Sequence, residues 1–119
     1  MPRRLIMLAA LAAFVLALPG GALAAAPKPV PVTLAGVLFN GKENPKVTMK
    51  LGGSLRFVWK DGFHNVLTSK APAKANKVNS GASVEGHKPI VFKPAKKGKY
   101  TFYCAPHKTL GMVLNLTVT

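Results

Sequence analysis

Apolar and polar residues alternate along much of the chain after residue 30. Every second position is apolar in residues 55–59, again around residues 100–102, and once more in residues 114–118. A period of two residues is typical of β-strands that bury one face and expose the other. The pattern therefore predicts half-buried strands and gives no sign of a long amphipathic helix.

Turn signals separate these apolar runs. The runs are residues 32–39, 46–51, 54–60 and 64–68, and the dipeptides between them are Asn40-Gly41, Gly52-Gly53 and Asp61-Gly62. Residues 25–31 contain three alternating prolines, at positions 27, 29 and 31, and cannot form a helix. Residues 69–88 are polar, and we expect a long loop there with room for one short helix. About seven to eight short strands in this arrangement predict an all-β fold, a Greek-key β-sandwich.

The first 24 residues have the features of a secretory signal peptide. Two arginines precede the uncharged apolar run 5–18, and Ala22-Leu23-Ala24 is a small-x-small cleavage signal. The run is too short to cross a bilayer, which takes roughly 20 residues. We expect a signal peptide of residues 1–24, a single exported domain of residues 25–119 and no membrane span. The bacterial periplasm is the expected compartment, with the thylakoid lumen and the extracellular space as alternatives.

Cys104 is the only cysteine, so no disulfide can form within the chain. A domain of 95 residues (25–119) has a small core, and exported domains of that size commonly add disulfides or a metal. A thiol that is neither buried nor ligated is also a liability in an oxidising compartment. Cys104 is therefore the first candidate metal ligand.

The expected mature domain is strongly basic. After residue 24 the chain has fifteen lysines and arginines and three acids, Glu43, Asp61 and Glu85, which gives a formal charge of +12. Such a charge speeds encounter with acidic partners, and it also keeps a protein soluble. Both interpretations stay open. The lysines are spread along the chain without a basic helix or an RNA-binding motif, which argues against a nucleic-acid binder.

The segment from Cys104 to Met112 concentrates metal-binding side chains. Its sequence places a thiolate, the imidazole of His107 and the thioether of Met112 on one tight loop. His64 follows the Asp61-Gly62 turn, and a sandwich could bring it to the same end of the fold. Two imidazoles, one thiolate and a weak thioether suit copper, because sulfur favours Cu(I) and imidazole accommodates both oxidation states. Structural zinc would normally take four strong ligands.

This segment resembles the copper-binding loop of the blue-copper (cupredoxin) family, of the plastocyanin and pseudoazurin type, with the spacing Cys-x2-His-x4-Met. Residues 62–66, Gly-Phe-His-Asn-Val, resemble the upstream His-Asn-Val element of the same family. The similarity spans essentially the whole domain. It implies one type 1 copper ion, with His64, Cys104 and His107 as equatorial ligands and Met112 as the axial ligand.

The resemblance also implies roles for residues around the ligands. Asn65 would tie the two ligand loops together. The edge of His107 would pass electrons through an apolar rim formed by Phe63, Pro106 and Leu110.

Tyr103 matches a residue on a second, lateral electron route of the family. Plant plastocyanins carry acidic patches there. The three acids of this domain cannot build such patches, and its basic surface is more similar to that of pseudoazurins.

We therefore expect a monomeric electron carrier that shuttles single electrons between exported or membrane-bound redox proteins and docks transiently on acidic partners. A copper-delivery protein without an electron-transfer role is the alternative, but it would normally carry Met-rich or His-rich motifs. Multicopper oxidases and nitrite reductases contain this kind of domain but need more histidines, and only His87 is spare. His87 has no motif around it and is expected at the surface, whereas Phe57 and Trp59 are expected in the core.

Overall fold

The computed structural model describes residues 27–119. Ten short strands and one 3₁₀ helix follow each other in this part of the chain: β1 (Val30–Ala35), β2 (Leu38–Phe39), β3 (Lys46–Met49), β4 (Leu55–Trp59), β5 (Phe63–His64), β6 (Leu67–Lys70), β7 (Val84–Glu85), β8 (Ile90–Phe92), β9 (Gly98–Tyr103), the 3₁₀ helix (Ala105–Leu110) and β10 (Val113–Val118). One sheet has the order β2-β1-β4-β8 and the other the order β3-β10-β9-β6. β5 and β7 form a separate two-stranded ladder.

The pairing of the strands confirms the all-β sandwich. β1 is parallel to β4 and β3 is parallel to β10, while the other pairs are antiparallel. Parallel neighbours cannot be joined by a tight hairpin, so the chain crosses between the sheets, as it does in a Greek-key sandwich.

The strands number ten, more than the seven to eight expected, because two predicted runs are divided. Gly36 adopts φ +59 and turns the chain back, so residues 32–39 form the β1–β2 hairpin in which Leu34 lies opposite Phe39. The run 64–68 divides between His64 and Leu67.

The short helix for which residues 69–88 had room is not formed. Within the described residues this stretch contains β7 and an isolated bridge between Leu67 and Asn79. Gly81 and Gly86 adopt φ values of +85 and +72, which no right-handed helix contains. Pro72 and Pro89 restrict the stretch further, because the residue before each proline disfavours the helical region.

The alternating apolar positions form the core as predicted. Leu55 and Phe57 are fully buried and Trp59 is 9% exposed. Phe102, from the facing sheet, packs edge-on against Phe57 and Phe92 with ring centroids 5.4 and 5.2 Å apart. Edge-to-face aromatic pairs of this kind stabilise a core beyond the area that they bury.

The structure tests only part of what the N-terminal sequence predicts. Residues 27–29 precede β1 and are not helical, in keeping with their prolines. The predicted signal peptide, residues 1–24, lies outside the described residues. Among residues 27–119 no helix has the length and apolarity needed to span a membrane.

Two strands determine where the candidate metal loop lies. β9 and β10 are antiparallel, and Tyr103 at the end of β9 lies opposite Val113 at the start of β10. The loop between them, which carries Cys104, His107 and Met112, therefore projects from one end of the sandwich.

We expect Gly98→Ala to destabilise the copper-free protein by about 2–4 kcal/mol. Gly98 begins β9 with φ +134, and a Cβ there would lie 2.6 Å from Cγ of Pro72. Gly52 is the matched control, because it has φ +102 and nothing within 4 Å of its Cβ position. Gly52→Ala should lower the free energy of unfolding only by the strain of placing alanine at a positive φ, about 1–2 kcal/mol. Urea unfolding compares the two, and equal losses would show that the Pro72 contact contributes nothing.

Candidate metal centre

The loop after β9 is closed by main-chain hydrogen bonds between its three predicted ligands. The His107 N–H donates to the Cys104 carbonyl (3.2 Å), the Met112 N–H donates to the His107 carbonyl (3.2 Å), and the Cys104 N–H donates to the Met112 carbonyl (3.1 Å). Pro106 at the start of the 3₁₀ helix supplies a fixed φ. The ligand-bearing residues are thus held relative to each other by the backbone alone.

Gly111 ends the 3₁₀ helix and makes this closure possible. It adopts φ +96, and its N–H donates to the carbonyl of Lys108 (3.2 Å). A Cβ at this position would lie 3.0 Å from Cγ of Glu43. Both the backbone conformation and the close approach of Glu43 therefore favour glycine.

The second ligand segment orients the ring of His64. Its Nε2 lies 2.6 Å from the Asp61 carbonyl, and because a carbonyl can only accept, Nε2 carries the proton and Nδ1 has a free lone pair. A Cβ on Gly62, which has φ +75, would lie 3.1 Å from Nε2. The tight turn before β5 thus sets both the position and the tautomer of the ring.

Three donor atoms converge at this end of the sandwich. Sγ of Cys104 lies 3.7 Å from Nδ1 of His64 and 3.6 Å from Nδ1 of His107, and all three donors lie within 4.8 Å of one another. His64, Cys104 and Met112 are fully buried, whereas His107 is half-buried. The structure therefore brings the sequence-predicted His64, Cys104 and His107 together and buries Met112 on the same loop.

Burial shifts the proton affinities of two of these groups. It raises the pKa of the Cys104 thiol, against hydrogen bonds with the backbones of Asn65 and His107, which lower it. Burial also lowers the pKa of His64, while the hydrogen bond to Asp61 acts in the opposite direction. The lowered pKa favours the neutral form of His64, which is the form that binds a metal. The raised pKa favours the protonated thiol of Cys104, so a metal that binds this sulfur displaces its proton.

The donor set fits copper. Two imidazole nitrogens and a thiolate, with a thioether on the same loop, form the ligand chemistry of type 1 copper, whereas a structural zinc site would use four strong ligands. The fold and this donor set together define a small β-sandwich protein with one mononuclear copper centre.

The comparisons with known proteins agree with that class. Residues 38–119 match the family model described as copper binding proteins, plastocyanin/azurin family. Pseudoazurin of Methylorubrum extorquens is 40% identical over 74 residues, which cover 60% of this chain and 47% of that protein. Plastocyanin of a Synechococcus species is 33% identical over 82 residues, which cover 62% of this chain and 60% of that protein. The chain thus spans between about half and three fifths of the length of the curated relatives that it matches.

A solved structure extends the similarity to the fold. The crystal structure of pseudoazurin from Methylobacterium extorquens AM1 has a TM-score of 0.63 and 33% identity, over 76% of this chain and 74% of that one. The chain belongs to the plastocyanin/azurin family of copper-binding proteins. The expected resemblance and the copper cofactor are confirmed.

Asn65 lies between the two ligand segments. Its Oδ1 accepts from the N–H of Ala105, the residue after Cys104, at 2.8 Å. Its Nδ2 donates to the carbonyl of Gly81 at 3.0 Å. One side chain thus connects the His64 segment to the metal loop and to the long loop before β8.

Trp59 and His87 have contacts that the sequence interpretation missed. The indole N–H of Trp59 donates to the carbonyl of His64 at 3.0 Å, so this core residue also holds a ligand segment. The ring of His87 stacks on the indole with centroids 4.6 Å apart and is half-buried, more enclosed than the surface position expected. No local sequence signal marks this contact, because only the path of the long loop brings His87 to Trp59.

The three predicted rim residues are all exposed. Phe63 is 60% exposed, Leu110 is 52% exposed, and Pro106 is exposed. Val37 and Val84, at 39% and 37%, add two apolar side chains that the sequence did not single out. Val84 lies opposite His64 in the β5–β7 ladder.

Tyr103 lies on the sheet that ends at Cys104. It is half-buried, and Nζ of Lys108 lies 4.6 Å from its ring centroid. A cation therefore stands over the aromatic ring of Tyr103.

We expect Asn65→Ala to lower copper affinity about 10–100-fold and to shift the visible spectrum of the copper-loaded protein, because the metal loop loses its link to the His64 segment. Asn76 is a matched control. It also bridges two main-chain groups, the Lys93 carbonyl (2.8 Å) and the Ala95 N–H (2.9 Å), away from the metal centre. Asn76→Ala should reduce stability to a similar degree and leave the spectrum unchanged. Equal spectral effects in both variants would contradict a specific role for Asn65.

We expect the copper-free protein to lose stability as the pH falls below about 6.5, the ordinary pKa of histidine. The pKa of His64 is lowered in the fold, so the unfolded chain binds the proton first and protonation favours unfolding. Urea unfolding between about pH 7 and pH 5 measures the slope, and His64→Gln should flatten it. An unchanged slope in that variant would refute the assignment.

Proposed function

We propose that this chain is a type 1 copper electron carrier that shuttles single electrons between exported or membrane-bound redox proteins. The observation that carries the proposal is the asymmetry of the centre. Cys104 and His64 are fully buried, whereas His107 is half-buried on a 3₁₀ helix that also carries the exposed Pro106 and Leu110. Such a centre offers one ligand edge to a partner and keeps water and competing ligands from the others.

The protein frame accounts for rapid electron exchange. When bound, copper supplies the one-electron couple. The donor positions are set by hydrogen bonds within the protein: the closed loop from Cys104 to Met112, the ring of His64 on Asp61, and the Asn65 bridge. A frame held in this way rearranges little between oxidation states, and second-shell hydrogen bonds tune the potential.

We propose that redox partners dock on the apolar rim of Phe63, Pro106 and Leu110, with His107 at its centre. Exposed apolar side chains within a polar border are typical of transient docking surfaces. Tyr103 supports a second, lateral route, since it directly precedes Cys104 in the chain. On this proposal the partners are acidic redox proteins, because the net positive charge raises the rate of encounter.

We also propose that the protein is an exported monomer and is not itself an enzyme. The features of residues 1–24 support export to the periplasm or an equivalent compartment. Besides His64 and His107 the described residues contain one histidine, His87, and its ring stacks on Trp59.

We expect Cys104→Ser to abolish the intense visible absorption that the Cu(II)-loaded protein should show. That band needs a thiolate bonded to copper, and serine provides no sulfur. Met112→Leu is the control within the same loop: it should keep the colour and shift the reduction potential, because an axial thioether tunes the centre without building it. A copper-loaded protein without the band, or a serine variant that keeps it, would refute the type 1 assignment.

We expect Leu110→Glu to slow electron self-exchange at least tenfold without changing the spectrum. A carboxylate at the rim opposes the dry contact between two apolar surfaces. Val91→Glu is the matched control, since Val91 is equally exposed at 56% but belongs to β8. Nuclear magnetic resonance line broadening in mixtures of oxidised and reduced protein gives the rate. Equal slowing in both variants would contradict rim docking, and slow exchange in the unaltered protein would favour the copper-delivery alternative.

A further inference from the structure

The three acids of the described chain all lie beside the metal ligands. Glu43 packs against Gly111, which precedes Met112. The carbonyl of Asp61 accepts from the His64 ring, and Glu85 lies opposite Phe63 in the β5–β7 ladder. We refer to this side of the sandwich, with the ligands and the rim, as the copper end.

The opposite end carries lysines and no acid among the described residues. The β3–β4 turn, the loop 71–75, the β8–β9 connection and the start of β9 bring together six exposed lysines, which we refer to as the basic pole: Lys50, Lys74, Lys93, Lys96, Lys97 and Lys99. These segments are physically connected. Met49 and Gly98 both pair with Val118, and Nζ of Lys96 donates to the carbonyl of Ala73 (3.1 Å).

The two ends are too far apart for the basic pole to take part in docking at the rim. β9 runs from Gly98 at the pole to Tyr103 at the copper end, and six strand residues span roughly 17 Å. This distance exceeds the Debye length of about 8 Å at physiological salt. A partner seated on the rim would therefore not contact these lysines, and rim docking does not explain why they are concentrated there.

Two exposed apolar side chains lie among the lysines. Leu51 is 44% exposed in the β3–β4 turn, and Val30 is 37% exposed at the start of β1, where its N–H donates to the Ser54 carbonyl. Cations around apolar side chains match an interface with anionic headgroups above hydrocarbon. The lysines stand on separate turns around one whole end, which suits a broad, non-directional anionic surface better than a single acidic side-chain cluster.

We propose that the basic pole binds the protein reversibly to an anionic membrane surface, with the copper end directed away from the lipid. Polybasic surfaces gain affinity for anionic bilayers with each lysine, and salt weakens the attraction. The bound protein would search for membrane-bound partners in two dimensions with its rim exposed. The proposal holds whether or not the copper centre transfers electrons.

Co-sedimentation of the copper-loaded protein with vesicles tests the proposal. We expect binding to phosphatidylcholine vesicles that contain phosphatidylglycerol, little binding to phosphatidylcholine alone, and release as the salt concentration rises. Lys50→Glu/Lys97→Glu should reduce the partition coefficient at least tenfold. Lys42→Glu/Lys60→Glu, next to Glu43 and Asp61 at the copper end, makes the same change in net charge and should reduce it much less.

Several outcomes would overturn the proposal. Absence of binding to the anionic vesicles, or equal binding to neutral ones, would exclude a membrane site. Equal losses of vesicle binding in the two double variants would show that the total charge of the protein determines binding and that the basic pole has no special role. Tighter retention on soluble polyglutamate than on vesicles of matched charge would indicate an acidic protein as the occupant.

A separate fluorescence experiment tests the orientation of the protein on the membrane. Leu51→Trp should show a blue shift of its added fluorescence on anionic vesicles, because residue 51 enters the interface. Val37→Trp, an equally exposed position near the rim, should not shift. A shift at residue 37 alone would reverse the orientation and overturn the proposal.

Discussion

The carboxamide of Asn65 connects the two ligand segments of the candidate metal centre. Neither sheet contains His64, which lies on the short β5–β7 ladder, so sheet pairing alone does not bring it to the metal loop. Asn65 makes that connection with one acceptor bond to the Ala105 N–H and one donor bond to the Gly81 carbonyl. Only a short side chain with both a donor and an acceptor can do this. Aspartate lacks the donor, and glutamine would place the amide one methylene farther out.

The ligands of the centre differ in burial because different elements of the fold surround them. The indole N–H of Trp59 donates to the His64 carbonyl, and β7 pairs with the strand that carries His64. His64 and Cys104 are therefore enclosed before any metal arrives. His107 is carried on a 3₁₀ helix in which no residue is buried, so it is only half-buried. The same topology that buries two ligands thus leaves the third only half-buried.

Local periodicity and spacing were enough to predict part of this arrangement. The alternation in β4, β9 and β10 identified the buried faces, and Cys104, His107 and Met112 were found from their spacing on one loop. His64 lies forty residues before Cys104, so its placement needed the family resemblance. The stacking of His87 on Trp59 and the division of the predicted strands could not be read from local pattern, because positive-φ glycines and the path of the long loop decide them.

The sequence also did not predict where the charges lie in the fold, since Glu43, Asp61 and Glu85 are far apart along the chain. The fold collects them at the copper end, where Lys42 and Lys60 are their neighbours in the chain and Lys108 lies over Tyr103. A docking rim with little net charge loses less hydration on contact than a ring of unpaired lysines would. The six lysines of the basic pole contribute to solubility and add no charge at the rim. The sandwich can therefore separate two kinds of contact, an apolar one through which electrons pass and an electrostatic one that positions the molecule.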